Sequence, residues 1–567
     1  MARVLLVSFG GYPYTPSSLM PDNGLASLAG SLLATGHRPM ILDYGTVSAL
    51  ERLYPRGISR RVRPLATKMF TETEDLTWGE KLRFLWSAMR LERYRKTRID
   101  AIAGEVVEKA LDFGADVVGL KLWNGDGFAG SVRIAEELQA RMPKTTVIGG
   151  GPHVDYFGEH ILDYTDAFDL LLSGEGERAL PRLVEALSGA GDGTDIPGLI
   201  RRKGGEICVN ENEPVRSLDE LPVPVYDPEI YPALRGDEKI KIGVVDESRG
   251  CPHRCAFCIH PKKSGGKWAL KSADRVLEEM EELRSCLGTA YFIYSGSNTP
   301  ADTATAIAKK ILKRGLDVRY GCFGHARSIS GADFEILCRS GCRAIFYGVE
   351  SGSPRVLKEA FNKPIDLQEA ERIIRSTRKA GIRAITSLIF PAPFEDDASR
   401  QQTIEFLKRV RPDSVPVTIP GMIPGTDWET NPARYGFRKA QRKDLWEYAL
   451  TYKIKLLFPP RLWKPLPYRL NDKSSRQLFR ECGDFIEELE EMGILTNVPH
   501  EMVLMAEALG CGDDLRGFRD RCRSLFLSGA VEDVADMVKA INRGAAAVGD
   551  AGRHPPADRT TAQERGA

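Results

Sequence analysis

Hydrophobic and polar positions over residues 1–190 alternate between two patterns. RVLLVSF, PMILDY, ADVVGLKLW, TTVIGGG and FDLLLSGEGE are short apolar runs, and each predicts a buried strand. LASLAGSLLATG, closed by Gly36, and GFAGSVRIAEELQARM carry apolar residues at helical spacing. Strands separated by helices in this order predict a parallel, doubly wound α/β sheet. The opening run is only a few residues long and lacks a cleavage site, so it reads as the first strand, not a signal peptide. Ligands bind such sheets at the carboxyl edge. The Gly-rich strand ends GGGPH (149–153) and SGEGE (173–177) fall there.

Residues 46–100 break the alternation. They are rich in Arg and Lys, from Arg52 to Arg98, and carry Trp78 and Trp86. The pattern predicts an inserted helical hairpin with a solvated basic face, or a lid over a ligand on the sheet edge. Residues 191–236 read as a connector, with a small hairpin about Gly204 and Gly205 and then the Pro-rich, extended SLDELPVPVYDPEIYP. From 237 to 430 the strand–helix alternation returns for about six units, which predicts a partial (β/α)6 barrel. Residues 431–545 read as a mainly helical C-terminal domain with a Pro-rich hinge at 459–467. The small, polar residues 546–567 read as a disordered tail.

Composition narrows the class. The 567 residues are 42% hydrophobic and 28% charged, as in a soluble protein of several domains. With 79 basic and 78 acidic residues the net charge is +1, which gives no call for nucleic acid. No apolar run is long enough to span a bilayer. The expectation is a cytoplasmic protein with neither nucleic acid nor membrane as partner. An odd number of cysteines, eleven, argues against a disulfide framework. Eight are scattered and read as small buried hydrophobes. The other three sit together.

These three lie in SRGCPHRCAFCIHP (248–261), where Cys251, Cys255 and Cys258 follow the spacing C-x-x-x-C-x-x-C. Cys thiolates on short loops hold iron–sulfur clusters. Three thiolates without a fourth nearby leave one iron of a cubane open for another ligand. The alternative is a structural zinc, with His253 or His260 as fourth ligand. This spacing, after the first strand of a partial barrel, resembles the radical S-adenosylmethionine (SAM) superfamily. Phe257 is the aromatic between the second and third cysteines. YGVESGS (347–353) resembles the family's fourth-strand element, which implies that Glu350 and Ser351 hold the ribose or amino group of SAM. IPGMIPGTDW (419–428), with Pro424, resembles its sixth-strand Pro-Gly-Thr element. Two elements depart from the pattern. LIFPAPFEDD (388–397) has Pro391 and Ala392 in place of a Gly-rich strand end. SGSN (295–298) replaces the usual Gly-Gly-Glu, so Ser295 and Asn298 become candidates for the methionyl amino group.

The N-terminal domain resembles the Rossmann-like cobalamin-binding domain fused to many such enzymes. VIGGGPHV and FDLLLSGEGE match its third and fourth strand ends, and IPGLIRR with SLDELPVPVYD matches the link to the radical domain. Together the resemblances cover about residues 1–430. They imply cobalamin contacts at Gly10 and Tyr12, at Gly149, Gly150, Gly151 and His153, and at Ser173, Gly174, Glu175 and Gly176. The glycines would line a slot for the dimethylbenzimidazole tail, because a Gly-rich strand end admits close approach. The plainer reading is tight strand–helix turns. Cobalamin carriers place a cobalt-ligating His in a D-x-H-x-x-G loop after the first strand. The loop here, FGGYPYTPSSL, has no His, so the lower face is expected to lack that ligand. His153, on another strand end, would be a tail or backbone contact. The residue beneath the cobalt stays open between the loop KLWNGDGF (121–128) and the basic insertion.

The resemblance implies three cofactors: a [4Fe–4S] cluster, cobalamin and SAM. It also implies an electron donor such as flavodoxin or ferredoxin. The expected activity is C-methylation of a carbon too weakly nucleophilic for ordinary methyl transfer, on a small molecule or peptide of specialised metabolism. Radical cyclisation, ring contraction or rearrangement is the alternative, and polar, tryptophan-type C-methylation another. From a different class, the chain could be a non-catalytic metal-binding module. No side chain is singled out as catalytic in its own right.

Overall fold

The computed structural model describes residues 1–546, apart from 72–75, 124, 191–192, 194, 440–441, 453–454 and 456. The predicted tail therefore lies almost wholly outside the described residues.

Five apolar runs form the parallel part of the N-terminal sheet: β1 (Arg3–Ser8), β2 (Arg38–Asp43), β3 (Val117–Lys121), β4 (Thr146–Gly150) and β5 (Leu170–Leu172), in the order β2-β1-β3-β4-β5. Strand order reverses between β1 and β3, so loops diverge there and leave a crevice at the carboxyl edge. Helices Asn23–Ala34 and Gly176–Glu185 pack together. The first is started by Asp22, whose side chain accepts from the Leu25 amide. Two boundaries differ from the sequence reading. The connector's hairpin, β6 (Leu199–Lys203) and β7 (Glu206–Val209), pairs antiparallel onto β5 and completes a seven-stranded sheet. The β5 edge would otherwise expose unpaired backbone, which the hairpin covers. The insertion does not end near residue 100 either. One helix, Trp78–Phe113, begins at a Thr77–Glu80 capping box and runs on to a left-handed Gly114, burying Ile102, Val106 and Ala110. Its companion helix, Arg56–Thr71, packs on the C-terminal helix Leu515–Ser528.

The central sheet holds β8 (Gly243–Val245), β11 (Tyr291–Tyr294), β12 (Arg319–Gly324), β13 (Cys342–Glu350), β14 (Arg383–Ile389) and β15 (Val417–Thr418), all parallel and in that spatial order. A two-residue ribbon, β9 (Ser248–Arg249) with β10 (Ala269–Leu270), pinches the base of the cysteine loop. Amphipathic helices such as Ala273–Leu287 and Leu367–Lys379 bury Leu277, Met280, Ile373 and Ile374 in one core with the strand residues Phe292, Tyr320 and Ile345. Strand residues of opposite facing, Ile293, Ala344 and Ile385, join a second core with Met502 and Leu504 of the helix His500–Ala508. That helix packs on β12, β13 and β14 and fills the other side of the sheet. The C-terminal region also carries a small antiparallel sheet, β16 (Phe437–Lys439), β17 (Tyr468–Leu470) and β18 (Lys473–Ser474).

Candidate active site at the domain junction

The cysteine loop is shaped by its own residues first. Gly250 has φ +81°, and a Cβ there would stand 2.1 Å from the Lys267 carbonyl oxygen, so only glycine fits the pinch after β9. The Cys258 amide donates to the Cys255 carbonyl at 3.1 Å, which closes a tight turn between the two cysteines. The loop is then fastened from outside. The Ala256 amide donates to Phe361 O at 2.8 Å, the Trp428 amide to Ala256 O at 3.2 Å, and Trp428 Nε1 to Ala360 O at 2.8 Å. Phe257 packs edge-on against Phe361, with ring centroids 5.5 Å apart. Its position is therefore a packing one beneath the loop. Asn298 Nδ2 donates to Cys251 Sγ at 3.4 Å, and its Oδ1 is buried without a partner among the described residues.

Burial pushes the Cys255 thiol up to about 12 and raises Cys258 as well, while the Lys363 cation pulls both down. Lys363 is buried, 5.6 Å from the Phe257 ring centroid, and donates to Glu350 Oε1 at 2.8 Å. Among the described residues no three His, Cys, Asp or Glu side chains converge closely enough for a single metal ion. The three half-buried cysteines on one pinned loop fit the cubane.

Glu350 ends β13 with φ +73°, an uncommon conformation for a non-glycine residue and one that costs energy. Ser387 Oγ lies 3.4 Å from its Oε2. Gly348 must be small here, since a Cβ would meet Glu350 Oε1 at 2.6 Å and Lys363 Nζ at 3.0 Å. Removing the cation leaves a buried carboxylate unpaired. Lys363→Met is therefore expected to cost about 3–5 kcal/mol of stability, and the double variant Lys363→Met/Glu350→Gln should recover part of it in thermal unfolding. Equal melting of the wild type and Lys363→Met would refute the pair's role.

The other SAM candidates separate. Ser351 is buried and engaged within the protein: its hydroxyl accepts from the Ser353 amide at 3.1 Å and lies 3.4 Å from Thr403 Oγ1. Ser295 Oγ donates to Asp246 Oδ1 at 3.2 Å, at the mouth of the cavity described below. Pro424 is buried, next to Gly425, which packs on Lys262 of the cysteine loop. Sequence reasoning did not single out His325, which follows β12. It stacks on His253 with centroids 3.8 Å apart, and burial holds it neutral, near a pKa of about 2. Neither of its nitrogens has a partner among the described residues.

A cavity of about 730 Å³ lies between the carboxyl edge of the N-terminal sheet and the cysteine loop. Leu6, Gly119, Ile148 and Leu172 of the sheet, with Leu25, Leu28 and Leu180 of the two helices above it, make a deep apolar slot. Gly150, Gly151, Gly174, Glu175 and Gly176 line it, and Arg249, Gly250, His260 and Lys263–Gly265 form the opposite wall. An apolar slot bounded by small residues fits the flat tail of a cobalamin. Gly119, an interior strand glycine, was the available signal for it. The other cobalamin candidates stand elsewhere. Gly149 is in the core, where a Cβ would meet Leu171 Cδ2 at 2.6 Å. His153 is buried against Phe128 and Phe157, with Nε2 3.1 Å from Leu450 O. Tyr12 donates to Phe526 O at 2.7 Å beneath Arg95. Ser173 donates to Gly198 O at 3.1 Å and holds the hairpin. Gly10 is not among the lining residues, though space is open around it. Of the loop 121–128, Lys121 reaches the cavity and pairs with Asp22 at 2.6 Å; Asn124 lies outside the described residues.

Ion pairs lock the two walls. Arg249 reaches Glu177 at 2.6 Å and Glu175 at 3.4 Å across the junction, and Asp246 at 2.5 Å on its own side. Lys263 pairs with Asp155 at 2.5 Å. Cys258 is close enough to the neighbouring Tyr156 to help raise its phenol, after burial and Asp155.

Residues 248–407 match the family model of the Radical SAM superfamily, and residues 87–184 that of the B12 binding domain. An uncharacterized methyltransferase of Pyrococcus horikoshii is 29% identical over 389 residues, 66% of this chain and 79% of the relative. The cytidylyl-2-hydroxyethylphosphonate methyltransferase of Streptomyces wedmorensis is 23% identical, over 63% of this chain and 74% of its own. The solved radical SAM methyltransferase TsrM from Kitasatospora setae, with cobalamin and a [4Fe–4S] cluster bound, aligns at 16% identity. It covers 94% of this chain and 100% of that one with a TM-score of 0.60, a likeness of fold.

Proposed function

We propose that this chain, which matches the Radical SAM and B12 binding family models, is a cobalamin-dependent radical SAM methyltransferase that C-methylates a weakly nucleophilic carbon of a small molecule or peptide in specialised metabolism. One observation carries the reading: the glycine-lined slot suited to the cobalamin tail and residues flanking the three cysteines, Gly250 and His260 among them, line one cavity. When bound, the reduced cluster with SAM supplies a radical that removes an unactivated hydrogen atom, and cobalamin supplies a methyl group.

The chain's own residues aim that chemistry. Cys251, Cys255 and Cys258 would hold the cluster. Asn298 Oδ1, buried and without a partner among the described residues, would accept from the methionyl ammonium. The Glu350 carboxylate, fixed by Lys363 and Ser387, would hold the ribose or the same ammonium. Gly150, Gly151, Gly174 and Gly176, which line the cavity, would admit the cobalamin tail. The Arg249 and Lys263 pairs hold the walls in register, and the helix His500–Ala508 closes the far side of the barrel sheet and excludes water. A reductant of the flavodoxin or ferredoxin kind supplies the electron.

The test is turnover of candidate substrates with methyl-labelled SAM and a low-potential reductant, followed by mass analysis. The expected product is heavier by one labelled methylene unit, with S-adenosylhomocysteine and 5′-deoxyadenosine in comparable amounts. Deuterium at the target carbon should pass to the deoxyadenosine. Deoxyadenosine with an unmethylated product would replace this reading with cyclisation or rearrangement. A methylated product without deoxyadenosine would replace it with the polar route.

A further inference from the structure

The helix Trp78–Phe113 presents an apolar stripe to solvent on the side away from its own packing face. At 3.6 residues per turn, Trp78, Leu82, Leu85, Trp86 and Met89 fall along one line, exposed by 79%, 48%, 54%, 65% and 47%. Ser87 and Leu91, buried against the protein, stand on the opposite side of the same turns. Isolated exposed apolar residues need no explanation, but a contiguous stripe marks a contact surface.

Charge indicates what covers it. Lys81 borders the stripe on one side, and Arg83 and Arg90 on the other. Arg93 and Lys96 continue its line one and two turns past Met89. None of these five cations has an ion pair among the described residues. Glu80 is withdrawn by its capping bonds to Thr77 and its pair with Lys68, which leaves Glu92 as the one acid near the line among the described residues. A second copy would lay cations against cations, which opposes self-association. A groove in another protein would have to admit two bulky tryptophans on a convex ridge. Trp and Leu along one face, with Lys and Arg along its borders, is instead the pattern of a helix lying in the plane of an anionic bilayer: the rings sit at the headgroup level and the long cations reach lipid phosphates.

We propose that the stripe Trp78–Met89 docks this enzyme on an anionic lipid surface. No described helix is long and apolar enough to cross a membrane; the contact is peripheral. Vesicle flotation of the cluster- and cobalamin-loaded protein tests it, with phosphatidylcholine alone and with added phosphatidylglycerol. The holoenzyme should float with the phosphatidylglycerol vesicles, and added salt should weaken binding. Leu82→Ser/Trp86→Ser should lower partitioning on the order of tenfold or more. Arg90→Gln/Arg93→Gln should remove the preference for phosphatidylglycerol. Both pairs are solvent-exposed, so iron and cobalamin contents should match the wild type. Absence of flotation with either vesicle, or equal flotation of the Ser variant, would overturn the proposal. So would a dimer in sedimentation that the Ser variant dissociates, which would place a second copy on the stripe.

Discussion

The triple variant Cys251→Ala/Cys255→Ala/Cys258→Ala is expected to contain no cluster iron and to lose turnover entirely. The native protein, reconstituted without oxygen, should hold about four iron and four sulfide per chain. The loss should be specific, because apart from the Asn298 bond to Cys251 Sγ the contacts that shape the loop do not involve the thiols. Gly250 at the pinch, the Ala256–Phe361 bond and the Trp428 bonds all remain, so cobalamin content and circular dichroism should be unchanged. The thiols alone are poor ligands: burial raises Cys255 and Cys258, and iron must displace their protons with Lys363 as the nearby cation that favours thiolate. A triple variant with full iron and visible absorption would remove the cluster assignment. A native protein with one zinc and no sulfide would make the chain a metal-binding module.

The cysteine spacing was legible in the sequence because it is local: three ligands on one loop need only short-range order. Lys363 was not, because a lone lysine in a polar stretch reads as surface and becomes a buried partner only when the β13 end and the cysteine loop are brought together. Arg249 was visible as a letter of the SRGCP run, but its bonds to Glu175 and Glu177 belong to the tertiary fold. The order of strands and helices was readable in both α/β domains, since each buried run carries its own period. The destination of the connector's hairpin was not, since which sheet edge it joins depends on which edge is left open.

The glycine runs show the limit most clearly, and the contrast between Gly149 and Gly150 tests it. Successive strand residues face opposite sides, so adjacent glycines with the same sequence signature do different work. A Cβ on Gly149 would stand 2.6 Å from Leu171 Cδ2 and 2.9 Å from Leu122 Cδ1. Gly149→Val therefore overpacks the core and should cost about 1–3 kcal/mol of stability, seen as a lower melting temperature before any cofactor is added. A Cβ on Gly150 meets only Leu172 O, at 3.6 Å, an ordinary contact, and Gly150 lines the cavity. Gly150→Val should fold like the wild type and project its methyl groups into the slot. Overpacking of about 1–3 kcal/mol against the bound tail, at tenfold in affinity per 1.4 kcal/mol, then weakens cobalamin binding roughly five- to 150-fold. Reconstitution with hydroxocobalamin, read by absorption after gel filtration, should show the deficit while iron and sulfide stay at the wild-type level. A Gly150→Val protein that melts normally and still binds cobalamin with unchanged affinity would move the tail out of this slot.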